Sequence, residues 1–281
     1  MFFTRLFSGI VLVLIALVTL ITGGELLATV LLFISLVAFF ELSKAIGVHE
    51  TEKKINGLEI TGVLFILTFY LGSYFLRDDI FTIMGLTGGF MAFLFVYVIS
   101  FPRFHATQVV AAFFAVVYAP VMLSFIYQTR ELHYGVYIVW LILISSWGCD
   151  TCAYAVGMAF GKTIGNHKIF PKLSPKKSLE GCIGGVAGAA LLGALYGHFL
   201  VENIVKEQEI TWIFALICGV GAIFSQIGDL AASAIKRNHN IKDYGKLIPG
   251  HGGIMDRFDS VIVTAPMIYF LTRLLMSFVL G

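Results

Sequence analysis

Residues 212–230 read WIFALICGVGAIFSQIGDL, and residues 233–259 read SAIKRNHNIKDYGKLIPGHGGIMDRFD. The first stretch is apolar and close to the roughly 20 residues that a helix needs to cross a bilayer. The second holds five Lys or Arg, three Asp and a Pro-Gly-His-Gly-Gly turn before apolar residues resume at 260. An apolar run, a dense charged loop and a second apolar run are the alternation of a chain threading a membrane. Each lipid-exposed span must satisfy its own backbone hydrogen bonds, so the spans are helices.

The rest of the chain follows this rule. It has 281 residues, 58% hydrophobic and 13% charged, with a mean hydropathy of +0.91. Soluble chains carry roughly 25% charged residues, so an ordinary soluble domain is excluded. Nine runs are candidate spans: 6–21, 26–40, 61–76, 80–101, 109–127, 136–158, 181–200, 212–230 and 260–280. The expected fold is an all-α polytopic membrane protein of about nine transmembrane helices. The first two runs, 15–16 residues each, are short, with Gly23-Gly24-Glu25 as a tight break between them. A signal peptide is the rival reading of the N-terminus, because Arg5 precedes an apolar run. No Ala-x-Ala-like site follows it, and a second span comes at once.

Charge sets the orientation. With the N-terminus cytoplasmic, that side receives Arg5, Lys44, Lys53, Lys54, Arg103, Lys162, Lys168, Lys172, Lys176, Lys177, Lys236, Arg237, Lys242, Lys246 and Arg257, fifteen in all. The opposite side receives three, Arg77, Arg130 and Lys206, and Arg273 falls within the last span. The positive-inside rule then puts the C-terminus outside.

Chemistry divides the chain near residue 135: residues 1–135 read as a transmembrane scaffold of about five helices, and 136–281 as a catalytic region with cytoplasmic loops 159–180 and 231–259. The polar segment Glu41 to Glu59 reads as a solvated surface loop. Gly184, Gly185, Gly188, Gly193 and Gly197 lie in an apolar run at spacings that suit close helix packing. Pro120 predicts a kink in the fifth span. Cys149-x-x-Cys152 has no second pair or His to complete a metal or redox site, and reads as two small residues on one helix face.

Of the 17 acidic residues, only Asp150 and Asp229 fall within the candidate spans. A carboxylate there usually faces a cavity, an ion or a partner. Asp229, Ser233, Lys236 and Arg237 share one helical face, and Asp256 and Asp259 share another at i, i+3. These carboxylates could surround a divalent ion, since hard cations take oxygen ligands. In the other loop, Ser174-Pro175-Lys176-Lys177-Ser178 leads into a helix, adding hydroxyls and N-terminal N–H groups that suit phosphate. The same lysines also fit a lipid-attracting basic patch. Together the two loops point to a membrane enzyme handling a phosphorylated substrate.

Segment 228–260 resembles the signature of the phosphatidate cytidylyltransferase, or CDP-diacylglycerol synthase, family. The resemblance runs through Gly228-Asp229, Ser233, Lys236-Arg237, Lys242-Asp243, Pro249 to Gly253 and Asp256-Arg257-Phe258-Asp259. Segment 150–181 is similar to the family's upstream element through Asp150-Thr151, Tyr154, Gly157, Gly161-Lys162, Lys168, Ser174 to Lys177 and Glu180-Gly181. Ser178 stands where Thr is usual, Cys152 where Gly is common, and Met158 where a basic residue often stands.

The resemblance implies that CTP and phosphatidate give CDP-diacylglycerol and pyrophosphate. Asp229 and Asp256 would hold Mg²⁺, and Asp150 and Asp259 would help with a second cation. Lys236, Arg237 and Arg257 would grip phosphates, with Lys176 and Lys177 closing from the other loop. Ser174, Ser178, Ser233, Lys242, His251, Gly252 and Gly253 would contact substrate, His251 as a phosphate or nucleotide contact rather than a base. The expected partners are CTP, phosphatidate and the bilayer, with no nucleic acid and with a homodimer left open. The expected place is a bacterial inner membrane, with the active site facing the cytoplasm. Two readings stay beside this one: a related CTP-using enzyme, kinase or cytidylyltransferase, acting on another lipid, and an ion-coupled transporter using Asp150 and Asp229 as relay groups.

Overall fold

A computed structural model describes residues 2–49, 55–75, 79–160, 167–205 and 210–279. Among them no strand forms, and the only β pairing is two isolated bridges, Lys168 with Ser178 and Ile248 with Gly252. The first four helices are α1 (Phe2–Thr22), α2 (Gly24–Ala45), α3 (Gly57–Phe75) and α4 (Asp79–Ile99). Then come α5 (Ala106–Val116) and α6 (Met122–Arg130), joined by a π turn over Val117–Val121. Next are α7 (Gly135–Ile138) and α8 (Trp140–Leu143), followed by a π turn (Ile144–Gly148) and α9 (Cys149–Phe160). The last are α10 (Leu179–Tyr196), a π turn (Gly197–Val201), α11 (Glu202–Val205), α12 (Ile210–Asn238) and α13 (Met255–Val279).

Eight stretches among the described residues are long and apolar enough to cross a membrane: α2, α3, α4, α12 and α13, and the composites Ala106–Arg130, Gly135–Ala159 and Leu179–Val205. With α1, this is close to the nine runs expected. The N-terminal hairpin is longer than its apolar runs suggest, since α1 has 21 residues and α2 has 22. Backbone hydrogen bonding carries both helices past the apolar residues into polar flanks. The break falls where expected, with Gly23 at φ 65° and Gly24 at φ 52°.

The chain forms two compact units, Met1–Tyr127 with Asn238–Phe258, and Gln128–Arg237 with Asp259–Gly281. In the first unit, Phe39 fills the space that a side chain at Gly62 would need, and Phe65 does the same at Gly89. Ser35 and Tyr70 hydroxyls lie 2.6 Å apart, and Tyr70 donates to the Pro120 carbonyl at 3.3 Å. Pro120 sits inside a π turn. The wider turn accommodates a residue that cannot donate to the helical ladder.

The segment Glu41 to Glu59 differs from the solvated loop expected, as far as it is described; Glu50 to Lys54, with Lys53 and Lys54, lie outside the described residues. Glu59 is 1% exposed. It closes a reciprocal cap on α3, with Asn56 N–H to Glu59 Oε2 and Glu59 N–H to Asn56 Oδ1, both 2.9 Å. His49 Nδ1 lies 2.8 Å from Glu59 Oε1, and Asn56 Nδ2 donates to the Val48 carbonyl at 2.7 Å. Polar residues in this membrane-flanking turn are spent on each other.

In the second unit, the glycines of α10 let other helices approach it closely. A Cβ on Gly184 would lie 2.6 Å from Val156, and one on Gly188 would lie 2.5 Å from Cys152, both on α9. One on Gly193 would lie 2.7 Å from Cys218 Sγ on α12. The packing role expected of these glycines is borne out, and Cys149 and Cys152 face α10 as small residues. Elsewhere, large apolar side chains such as Met91, Phe95 and Val98 of α4 are exposed. A water-soluble surface rarely shows patches of this kind, whereas a lipid-facing one requires them.

Candidate active site

In the second unit, α9, α12, α13 and the loop before α10 bring charged side chains together. Gly228 of α12 leaves no room for a side chain, since a Cβ there would lie 2.9 Å from the Asp259 carbonyl and 3.1 Å from Val263. This close approach sets Asp229 beside the start of the lipid-crossing part of α13. On the other flank, a Cβ at Gly181 would lie 3.1 Å from the Ala153 carbonyl, so α9 and α10 also pack closely near Asp150. Gln226, one turn before Asp229, donates from Nε2 to the Cys182 carbonyl at 2.9 Å and to Cys149 Sγ at 3.4 Å. That amide ties α12 to α10 and α9.

Lys177 Nζ and Asp229 Oδ2 form an ion pair at 2.6 Å, with side chains 19% and 29% exposed. Asp150 senses the charges of Asp229 and Lys177. Asp259 senses those of Asp229, Lys236 and Asp150. Three carboxylates and two ammonium groups thus share one electrostatic neighbourhood. Ser233 and Lys236 are half-buried and Arg237 is exposed on the last turns of α12, as the helical spacing predicts. Asp259 Oδ1 also accepts the Ser260 N–H at 2.8 Å.

The lysine loop has a specific local form where it is described. Gly161 to Asn166, including Lys162, lie outside the described residues. Ser174 and Lys177 close a turn (N–H to carbonyl, 3.2 Å), and Lys168 Nζ donates to the Lys176 carbonyl at 3.2 Å. Lys176 is exposed. Ser178 is the N-cap of α10, its Oγ accepting the Gly181 N–H at 3.2 Å. Its oxygen is therefore partly committed to the helix, and the residue is buried.

The remaining candidates, Lys242, His251, Gly252, Gly253, Asp256 and Arg257, belong to the first unit. Ile248 to His251 forms a turn closed by the His251 N–H on the Ile248 carbonyl at 2.9 Å, with Gly250 at φ 79°. Pro at the second position and a positive-φ Gly at the third are what a type II turn needs. Asp256 Oδ2 accepts the N–H groups of Tyr244 (2.8 Å) and Gly253 (3.0 Å), which orients this carboxylate from one oxygen. Ser8 Oγ of α1 lies 2.8 Å from His251 Nδ1 and donates to the Pro249 carbonyl at 3.3 Å. Lys242 and Arg257 are exposed.

Among the described residues, no three His, Cys, Asp or Glu side chains are grouped to hold a metal between them. Mg²⁺ does not demand such a cage, because it is usually held by one or two carboxylates together with substrate phosphates and water. The hard oxygen donors of Asp229, with Asp150 and Asp259 in electrostatic reach and an ammonium already drawn to them, fit that mode of binding.

Sequence reasoning missed Ser8, Glu41 and Gln226. Gln226 was findable as the one amide in an otherwise apolar run. Ser8 and Glu41 had no such signal, because their partners lie more than 200 positions away.

Comparison with known proteins agrees with this chemistry. The chain is similar over 279 residues, at 30% identity, to the phosphatidate cytidylyltransferase of Bacillus subtilis, with 96% of this chain and 97% of that protein covered. It is 30% identical over 268 residues to the enzyme of the same name from Staphylococcus saprophyticus, covering 94% and 96%. A relative of that name from Rickettsia bellii is 42% identical over 141 residues, covering 48% of this chain and 58% of its own length. The profile of the cytidylyltransferase family matches residues 3–275, and the chain belongs to that family.

Proposed function

We propose that this enzyme joins CTP to phosphatidate, giving CDP-diacylglycerol and pyrophosphate at the cytoplasmic face of a bacterial inner membrane. The observation that carries this reading is the Lys177–Asp229 ion pair, because it joins the two charged segments across 52 positions of sequence. It sets a cation expected on phosphate against a carboxylate expected on a metal.

The chemistry asks little covalent work of the protein. An oxygen of the phosphatidate phosphomonoester attacks the α-phosphorus of CTP, and the bond to the β-phosphate oxygen breaks as pyrophosphate leaves. The attacking oxygen is already anionic, so a general base is unnecessary. The protein's task is to bring two polyanions together and to stabilise charge on the leaving group. Lys236, Arg237 and Arg257 supply fixed positive charge, with Lys176 at the rim. Lys177 exchanges its carboxylate partner for a substrate phosphate. Bound Mg²⁺ would neutralise the CTP phosphates and the departing pyrophosphate. The sequence motif assigns it to Asp229 and Asp256, with Asp150 and Asp259 serving a second cation. His251, Gly252 and Gly253 present the turn to the nucleotide.

The direct test is turnover by purified protein in mixed micelles of phosphatidate and detergent. Pyrophosphate release must require CTP, phosphatidate and a divalent cation together. Release of CDP instead would identify a lipid kinase and end this reading.

A further inference from the structure

The glycine-rich loop is held from a helix that lies outside the signature motif. Glu41, near the end of α2, accepts the Met255 N–H on Oε2 at 2.9 Å, across 214 positions of sequence. Two glycines face the same carboxylate, and a Cβ on Gly245 or Gly253 would overlap it. Neither of these two has positive φ, unlike Gly250 and Gly252. They are needed for close approach, whereas the latter two are needed for backbone conformation. Asp256 gathers Tyr244 and Gly253 N–H groups from inside the loop. The segment from Tyr244 to Asp256 is therefore folded over two carboxylates, one its own and one contributed by α2.

We infer that Glu41 is a positioning residue for the loop carrying His251, Gly252 and Gly253, shaping it to receive the nucleotide phosphates. The inference rests on the proposed reading in which that loop contacts CTP. It gives the N-terminal helices a part in the reaction beyond anchoring.

The test compares wild type with Glu41→Gln, Glu41→Ala, Gly253→Ala and the Glu41→Ala/Gly253→Ala pair, each purified in detergent. Two quantities are read: KM for each substrate, and amide hydrogen exchange across residues 244–255 without substrate. Glu41→Ala is expected to raise KM for CTP about tenfold, to leave KM for phosphatidate unchanged, and to speed exchange in this segment alone. Glu41→Gln still offers an acceptor, so it loses less and keeps the protection. Gly253→Ala is expected to damage the wild type more than the Glu41→Ala background, where the methyl has room. Unchanged exchange in Glu41→Ala, or strictly additive losses in the pair, would overturn the inference. If Glu41→Ala does not fold, Glu41→Asp, which shortens the reach to Met255, replaces it with the same expectations. Failure of the wild type to make CDP-diacylglycerol would remove the proposed activity, and the exchange comparison would still judge Glu41 by itself.

Discussion

Lys177 and Asp229 sit 2.6 Å apart with both side chains largely covered, so removing one leaves the other charge poorly solvated. Asp229→Asn is expected to lower turnover at least about 100-fold while the protein stays folded. Lys177→Gln should cost roughly 10–100-fold, and Lys177→Arg less, because the positive charge remains. An active, correctly oriented Lys176→Gln/Lys177→Gln variant would return these lysines to a purely topological role. His251 gives a second prediction at this scale. Its Nδ1 lies 2.8 Å from Ser8 Oγ, so the ring is held through Nδ1 and Nε2 is the nitrogen left to face a phosphate. His251→Gln, which still donates a hydrogen bond, should keep measurable activity and the wild-type acidic limb of the pH–rate profile. His251→Ala should be worse. If Gln and Ala are equally inactive and the acidic limb vanishes from any residual rate, a proton-transfer role for His251 would be correct. The charged residues of this site were legible in sequence because acids and bases are so rare in an apolar chain. Glu41 and Ser8 were not, because nothing local marks an acid or a serine beside an apolar run as a partner of a loop far along the chain.

At the scale of elements, the helices were legible from hydropathy, and their ends were not. The segment before α3 shows why: Asn56 and Glu59 look like loop residues until their reciprocal hydrogen bonds are seen. Asn56→Ala removes the cap and the bond to Val48, and is expected to cost about 1–2 kcal/mol of stability. Denaturant or thermal unfolding in detergent would measure it. The glycine stripe of α10 was legible because its spacing matches helix contact. Gly188→Ala would drive a methyl into Cys152, and overpacking of this kind costs about 1–3 kcal/mol. Cys152→Gly in the same chain should recover part of that loss, since it empties the space the methyl needs; no recovery would mean that α9 and α10 meet differently. The π turns at Val117–Val121, Ile144–Gly148 and Gly197–Val201 had no signal in hydropathy. Only Pro120 hinted at one of them.

At the scale of the whole molecule, an apolar helical body carries a charged centre of carboxylates and ammonium groups. That combination suits a reaction between a water-soluble triphosphate and a lipid phosphate, where the catalyst must hold both at the membrane surface. The central claim is that the cytidylyl group, carrying the α-phosphorus, moves to the lipid. Two parallel reactions with purified protein, phosphatidate and Mg²⁺ test it most directly, one with CTP labelled at the α-phosphate and one at the γ-phosphate. The α label is expected in the lipid product and the γ label in released pyrophosphate, with both outcomes abolished in Asp229→Asn. A γ label found in the lipid, with CDP released, would contradict it.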